Sequence, residues 1–271
     1  MEKKGTILSL IFIGVILLSA VGYIIFAGIT ANNYNYVQLE INPRVEFLCD
    51  KKFKVVSVRP INDDAEVMLT GVEYKGMDIS DACVDFIDAC ARAGYIDVDS
   101  KDNAVNITVI DGITQALDVH VTQSVNNYLR QNEIYCAVIE NYEDRHMFDK
   151  KKEYNVCCAN KFKLMQTLHE AMPEKSLEDL AKLHEVKLIE MVKDYHENNT
   201  FQSTEKDIEL KTKLIDFNRE KYLAHKEKIT DESQAEFSKE YDKFQKIDGA
   251  KYAIDFNKSY TTWQNEHISW Q

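Results

Sequence analysis

The hydrophobic pattern outside the first thirty residues begins with a strand. Tyr36-Val-Gln-Leu-Glu-Ile alternates, with Val37, Leu39 and Ile41 on one face. Asn42-Pro43 interrupts it, Val45 to Cys49 reads as a second strand, Asp50-Lys51-Lys52 as a turn, and Phe53 to Val58 as a third strand ending near Pro60. The spacing then changes to a helical one. Ile79, Ala82, Cys83, Phe86, Ile87 and Cys90 form one stripe, with Asp78 or Ser80 as N-cap and Gly94 as the stop. Ala104 to Ile110 is a strand, Ile113 to Arg130 a second amphipathic helix, and Ile134 to Ile139 a closing strand. The order β-β-β-α-β-α-β predicts an α/β (α+β-like) sandwich, a small mixed sheet with two helices on one face.

Beyond Lys150-Lys151-Lys152, a solvated boundary, the pattern is helical. Ser176-Leu-Glu-Asp179 resembles a capping box, and Leu180, Leu183, Leu188, Ile189 and Val192 supply apolar faces. From Thr204 the chain is rich in Lys and Glu, and Ile208, Ile215, Tyr222 and Ile229 recur every seven residues. The pattern breaks at Thr230 to Ser233 and resumes at Phe237, Tyr241, Phe244 and Ile247. Two long helices are expected, as a hairpin or paired with a protein partner. Polar Thr212, Arg219 and Lys226 argue against a two-stranded coiled coil.

Residues 5–30 carry no charge. As a helix they reach about 39 Å, more than the ~30 Å of a bilayer's hydrocarbon core and too long for a signal-peptide core. An uncleaved transmembrane anchor in contact with membrane lipid is expected. Lys3 and Lys4 precede it and no basic residue follows before Arg44, which places the N-terminus in the cytoplasm and the bulk outside. The expected organisation is a cytoplasmic stub (1–4), the anchor (5–30), an extracytoplasmic α/β domain (31–152), its helical extension (153–199) and a C-terminal helical hairpin (200–271).

With 33 basic and 45 acidic residues, the chain's formal net charge is −12, which repels phosphates and argues against nucleic acid as a partner. The six cysteines lack a CxxC pair, so no zinc ribbon is expected. Cys83 and Cys90 share a helical face with core residues and read as reduced structural thiols. No cofactor or metal is implied. Phosphate-binding glycine loops and nucleophile-elbow motifs are missing from the sequence. His169-Glu170, His184-Glu185 and His196-Glu197 lack the second His of a zinc protease, since Pro173, Leu188 and Thr200 stand at the i+4 positions, and they read as polar helix surface.

One dipeptide carries distinctive chemistry. The usual asparagine cyclisation, attack by the following backbone nitrogen, is blocked at Asn42 because the Pro43 nitrogen bears no hydrogen. The Asn42 side-chain nitrogen can still add to its own main-chain carbonyl and break the Asn42–Pro43 bond, leaving a C-terminal succinimide. Such a cut needs the amide held near the carbonyl, donors for the oxyanion and a proton for the leaving nitrogen. The competing reading is an ordinary turn, which Asn-Pro commonly begins.

Tyr36-Val-Gln-Leu-Glu-Ile-Asn-Pro-Arg-Val-Glu-Phe resembles the start of the extracytoplasmic domain of RsgI-type anti-sigma factors, with Glu40, Ile41, Asn42, Pro43, Val45, Glu46 and Phe47 matching the family pattern. Val55-Val-Ser-Val with Ile61-Asn-Asp-Asp-Ala, Lys161-Phe-Lys-Leu-Met, and Met172 to Leu180 resemble later blocks, so the likeness runs from about Tyr36 to Tyr195. The resemblance implies a single-pass sensor of cell-wall or polysaccharide stress in Gram-positive bacteria. It also implies self-cleavage at Asn42–Pro43, with Asn42 and Pro43 as the reacting residues and the pieces staying associated, and control of a sigma factor. Two departures are visible. Four residues before the anchor are too few to hold a sigma factor, so that partner would be reached only indirectly. Arg44 stands where the family has a small residue. The alternative is a non-cleaving anchored module whose C-terminal helices engage a protein partner. A conventional enzyme is not expected.

Overall fold

The computed structural model describes residues 34–110, 116–140 and 145–247. The expected anchor at 5–30 lies outside these residues. Among the described residues no helix is long and apolar enough to cross a membrane.

Five strands form one mixed sheet: β1 (Tyr34–Glu40), β2 (Arg44–Asp50), β3 (Val55–Pro60), β4 (Ala104–Ile110) and β5 (Ala137–Glu140), in the spatial order β3-β2-β1-β4-β5. All neighbours are antiparallel except β4 and β5. β1 is the central strand. It pairs with β2 from Tyr34↔Asp50 to Glu40↔Arg44, and with β4 from Tyr36↔Ile110 to Glu40↔Asn106. The mixed sheet is as expected.

Helices α1 (Asp63–Leu69), α2 (Ile79–Ala93) and α3 (Leu117–Gln131) accompany the sheet. α1 was not expected. It is a seven-residue helix, too short to show a helical period, and Asn62 caps it by accepting the Ala65 N–H. α2 has the expected stripe, an Asp78 cap and a left-handed Gly94 at its end.

The sheet's first face buries Val37, Leu39, Val45 and Phe47 against Phe86 and Val121. The second face is covered as well, which corrects the one-face expectation. Tyr36, Leu48 and Ile110 pack there with Phe162, Met165 and Val192. These come from α5 (Ala159–Ala171) and α7 (Glu185–Asn198), which follow α4 (Arg145–Glu153) and enclose the short α6 (Leu177–Ala181). The correction has a plain cause. The alternate positions of β1, β2 and β4 look solvent-facing because they include Gln38, Glu46, Asn106 and Thr108, yet all four are buried.

The C-terminal helices, α8 (Glu205–Glu227) and a last helix α9 over 231–247, dock on the first-face layer. On α8, Asn218 Nδ2 donates to Ala93 O at 2.8 Å, and Lys211 Nζ donates to Met68 O and Thr70 O at 2.7 Å. Phe237, Tyr241 and Phe244 of α9 enter the same core, where Tyr241 is fully buried and its hydroxyl bonds Asn126 Oδ1 at 3.0 Å.

The Asn42–Pro43 hairpin as candidate functional site

β1 and β2 are joined by a tight hairpin. Glu40 pairs with Arg44, so the loop is Ile41-Asn42-Pro43, closed by Ile41 N–H donating to Pro43 O at 3.1 Å. Asn42 sits at φ 89°, in the left-handed region. Asparagine tolerates that region better than most residues, but a following proline favours extended backbone. Backbone strain of about 1–3 kcal/mol is therefore concentrated next to the Asn42–Pro43 bond.

The orientation of the Asn42 side chain follows from a chain of donors. The backbone N–H groups of Arg44 and Ala65 can only donate, and both point at Asn62 Oδ1, at 2.9 and 3.2 Å. Asn62 must therefore present its Nδ2 to Asn42, donating to Oδ1 at 2.8 Å. That fixes the remaining Asn42 atom as Nδ2, which is buried and has no hydrogen-bond partner. The nitrogen able to attack the main-chain carbonyl is thus the one left unbound. The Asn62 donor also favours the negative charge that develops on Oδ1 as Nδ2 loses a proton.

Two polar clusters on the second face flank the hairpin, one around the half-buried Glu40 and one around the buried Glu46. Glu40, the last residue of β1, accepts from Lys163 Nζ at 2.8 Å and from Asn106, and lies 3.5 Å from Arg44 Nε. Burial pushes its carboxyl up, but Lys163 and Arg44 outweigh this and hold it below the ordinary carboxylate range. Arg44 also reaches Glu170 at 4.0 Å, so the residue that departs from the family pattern forms a bridge from the hairpin to α5.

The second cluster centres on Glu46, whose side chain is 1% exposed. It accepts from Tyr36 Oη at 3.0 Å, Arg59 Nη1 at 3.0 Å and His196 Nε2 at 2.9 Å. His196 Nδ1 in turn meets Ser57 Oγ at 2.8 Å. Burial raises the Glu46 carboxyl, but the His196 hydrogen bond and charge, then Arg59, bring it below its usual value. Tyr36 is driven well above its ordinary value by burial and by Glu46. A groove of about 410 Å³ lies alongside, lined in part by Ser57, Arg59, Tyr74, His196 and Phe201.

Sequence reasoning singled out Asn42 and Pro43, and the structure brings them together at the hairpin apex with Asn62, which it had not singled out. His196 is corrected: it is not polar helix surface but a buried ligand of Glu46. Lys163 was visible only as one position of a family-like block.

A family model for the anti-sigma factor RsgI-like central domain matches residues 34–167. The chain carries an RsgI-like central domain. It is 39% identical to anti-sigma-I factor RsgI3 of Acetivibrio thermocellus over 74 residues, 27% of this chain and 11% of that protein. It is 31% identical to RsgI4 of the same organism over 93 residues, 33% of this chain and 18% of that protein. A longer match, 23% identical over 181 residues, covers 65% of this chain and 33% of RsgI7, also of Acetivibrio thermocellus. The matched part thus spans between about a tenth and a third of these relatives. The RsgI-like central domain includes β1, the hairpin, the whole sheet and most of α5. Both partners of each hairpin-flanking contact fall within it except His196 and Glu170.

Proposed function

We propose that the chain is the extracytoplasmic sensing part of a single-pass membrane protein in an anti-sigma-factor relay, and that it cuts itself between Asn42 and Pro43. One observation carries this reading: the buried, unbound Asn42 Nδ2 at a strained hairpin apex, its amide oriented by Asn62. In the step, Nδ2 loses a proton and bonds to the Asn42 main-chain carbon. The Asn42–Pro43 C–N bond then breaks, and the prolyl nitrogen takes up a proton. The products are a C-terminal succinimide on Asn42 and a chain beginning at Pro43.

The cut would leave β1 in place. It is hydrogen-bonded on both edges, to β2 and β4, so it cannot peel away as an edge strand does. Its Glu40 and Tyr36 are tied to Lys163 and Glu46, which belong to the other piece. With residues 5–30 in the membrane and the N-terminus in the cytoplasm, withdrawing β1 would transmit an outside event inward, and a sigma factor would be reached through the N-terminal side. The presence of an RsgI-like central domain, and relatives named anti-sigma-I factors, support this placement in a relay.

The test is the mass of the full chain made in a cell-free system with lipid nanodiscs. A fragment beginning at Pro43, absent from Asn42→Ala, is the expected result. Recovery of intact chain alone, after incubation at neutral pH, would remove self-cleavage and leave a tethered, uncut module.

A further inference from the structure

The segment between α4 and α5 carries two adjacent cysteines that the hairpin chemistry does not use. Cys157 is exposed and Cys158, half-buried, immediately precedes α5. Glu185, the first residue of α7, closes on both. The Cys157 and Cys158 sulfurs are 3.7 Å apart, and Glu185 Oε1 lies 3.5 Å from Cys158 Sγ and 4.0 Å from Cys157 Sγ.

These separations can be compared with a tetrahedral ion. Zinc–sulfur bonds of about 2.3 Å at the tetrahedral angle put two sulfurs about 3.8 Å apart, and a zinc–oxygen bond of about 2.1 Å puts sulfur and oxygen about 3.6 Å apart. The three atoms therefore trace one face of such a tetrahedron nearly as they stand. We propose that Cys157 Sγ, Cys158 Sγ and Glu185 Oε1 form a site for a thiophilic divalent cation of the zinc class, with the fourth position open to water.

The donor set excludes the hard cations. Calcium and magnesium take six or more oxygens, whereas two sulfurs and one carboxylate suit a softer ion. Adjacent cysteines also escape the spacing rules by which zinc sites are usually found in a sequence, and the third ligand is 27 residues further on. The site joins the start of α5 to the start of α7. α5 carries Lys163, which holds Glu40, and α7 carries His196, which holds Glu46. A bound cation would brace both helices of the layer that covers β1.

The test uses the full chain under a phosphine reductant, with cobalt(II) as a spectroscopic probe and zinc(II) as competitor. One equivalent of cobalt is expected to give a thiolate-to-cobalt charge-transfer band and tetrahedral visible bands, both removed by zinc. Cys157→Ser and Cys158→Ser should each abolish or markedly weaken the band while circular dichroism stays unchanged. Glu185→Gln should weaken cobalt binding by about tenfold or more, since even groups that only orient ligands contribute about 10–100-fold. The absence of a thiolate band in the folded chain would overturn the proposal. So would a band that survives in the Cys157→Ser, Cys158→Ser double variant, or a Cys157–Cys158 disulfide that persists under the reductant.

Discussion

Asn42 combines a left-handed backbone, a following proline and a side-chain amide with only its oxygen bonded. Asn62 is what makes this arrangement specific, and it can be tested apart from its structural role. Asn62→Asp keeps an oxygen to accept from Arg44 and to cap α1, since Asp is a good N-cap, but it removes the donor to Asn42 Oδ1. The expected outcome is a thermal midpoint near that of the parent with cleavage slowed by about tenfold or more, one lost charge-stabilising donor being worth about 1.5–3 kcal/mol. Fragment appearance followed by mass spectrometry checks it, and an unchanged rate would show that the amide is not oriented through Asn62. Asn42 and Pro43 were legible in the sequence because the chemistry lies within one dipeptide. Asn62 was not, because its role depends on two backbone donors that only the fold brings to one oxygen. Glu46 poses a similar case. Its removal leaves Arg59 and His196 without their shared acceptor, so Glu46→Ala should cost about 3–5 kcal/mol, read as a lower urea midpoint at neutral pH.

At the scale of elements, the docking of α8 on α2 rests on a close approach at Gly94. A Cβ there would lie 2.6 Å from the Asn218 side chain, and the residue is left-handed at φ 85°. Gly71 offers the matched control, since its φ is 74° but a Cβ would meet nothing within 4 Å. Gly71→Ala should cost only backbone strain, about 1–2 kcal/mol. Gly94→Ala should cost more, because the Asn218 amide must give up its bond to Ala93 O. Equal losses in urea denaturation would mean that Asn218 moves aside freely and does not fasten α8. The helical periods of α2, α8 and α9 were readable from the chain, including the aromatic spacing of Phe237, Tyr241 and Phe244. Which surface those aromatics meet was not, since a stripe identifies a buried face without naming its partner. The second-face layer was missed for a related reason: a polar residue alternating with apolar ones looks the same whether water or Lys163 satisfies it.

For the whole molecule, the attachment of β1 is an electrostatic as well as a hydrophobic matter. Glu40 on β1 bonds Lys163, and Tyr36 on β1 bonds Glu46. Both carboxyls are held below their usual value in the folded protein. A depressed carboxylate adds stability that is complete above the unfolded value of about 4.3 and disappears as the pH falls through the lower folded one. The urea midpoint should therefore be nearly level from pH 7 to about pH 5 and fall steeply below about pH 4. Surface carboxylates such as Asp179 and Asp207, also lowered, contribute to the same decline, so the two clusters need their own readout. Lys163→Met supplies it. The substitution keeps an apolar stem of similar length but removes the cation, so Glu40 should protonate at a higher pH and the decline should begin earlier than in the parent. In cleaved protein the same contacts span the two pieces. Residues 1–42 should stay bound to a tagged C-terminal piece at neutral pH and be released on acidification, sooner in Lys163→Met. High salt at neutral pH should not mimic acid, because both Lys163 and Glu46 are buried and mobile ions screen buried pairs weakly. Release by salt, or retention that is indifferent to pH and to Lys163, would show that the backbone ladders and apolar packing alone hold the central strand.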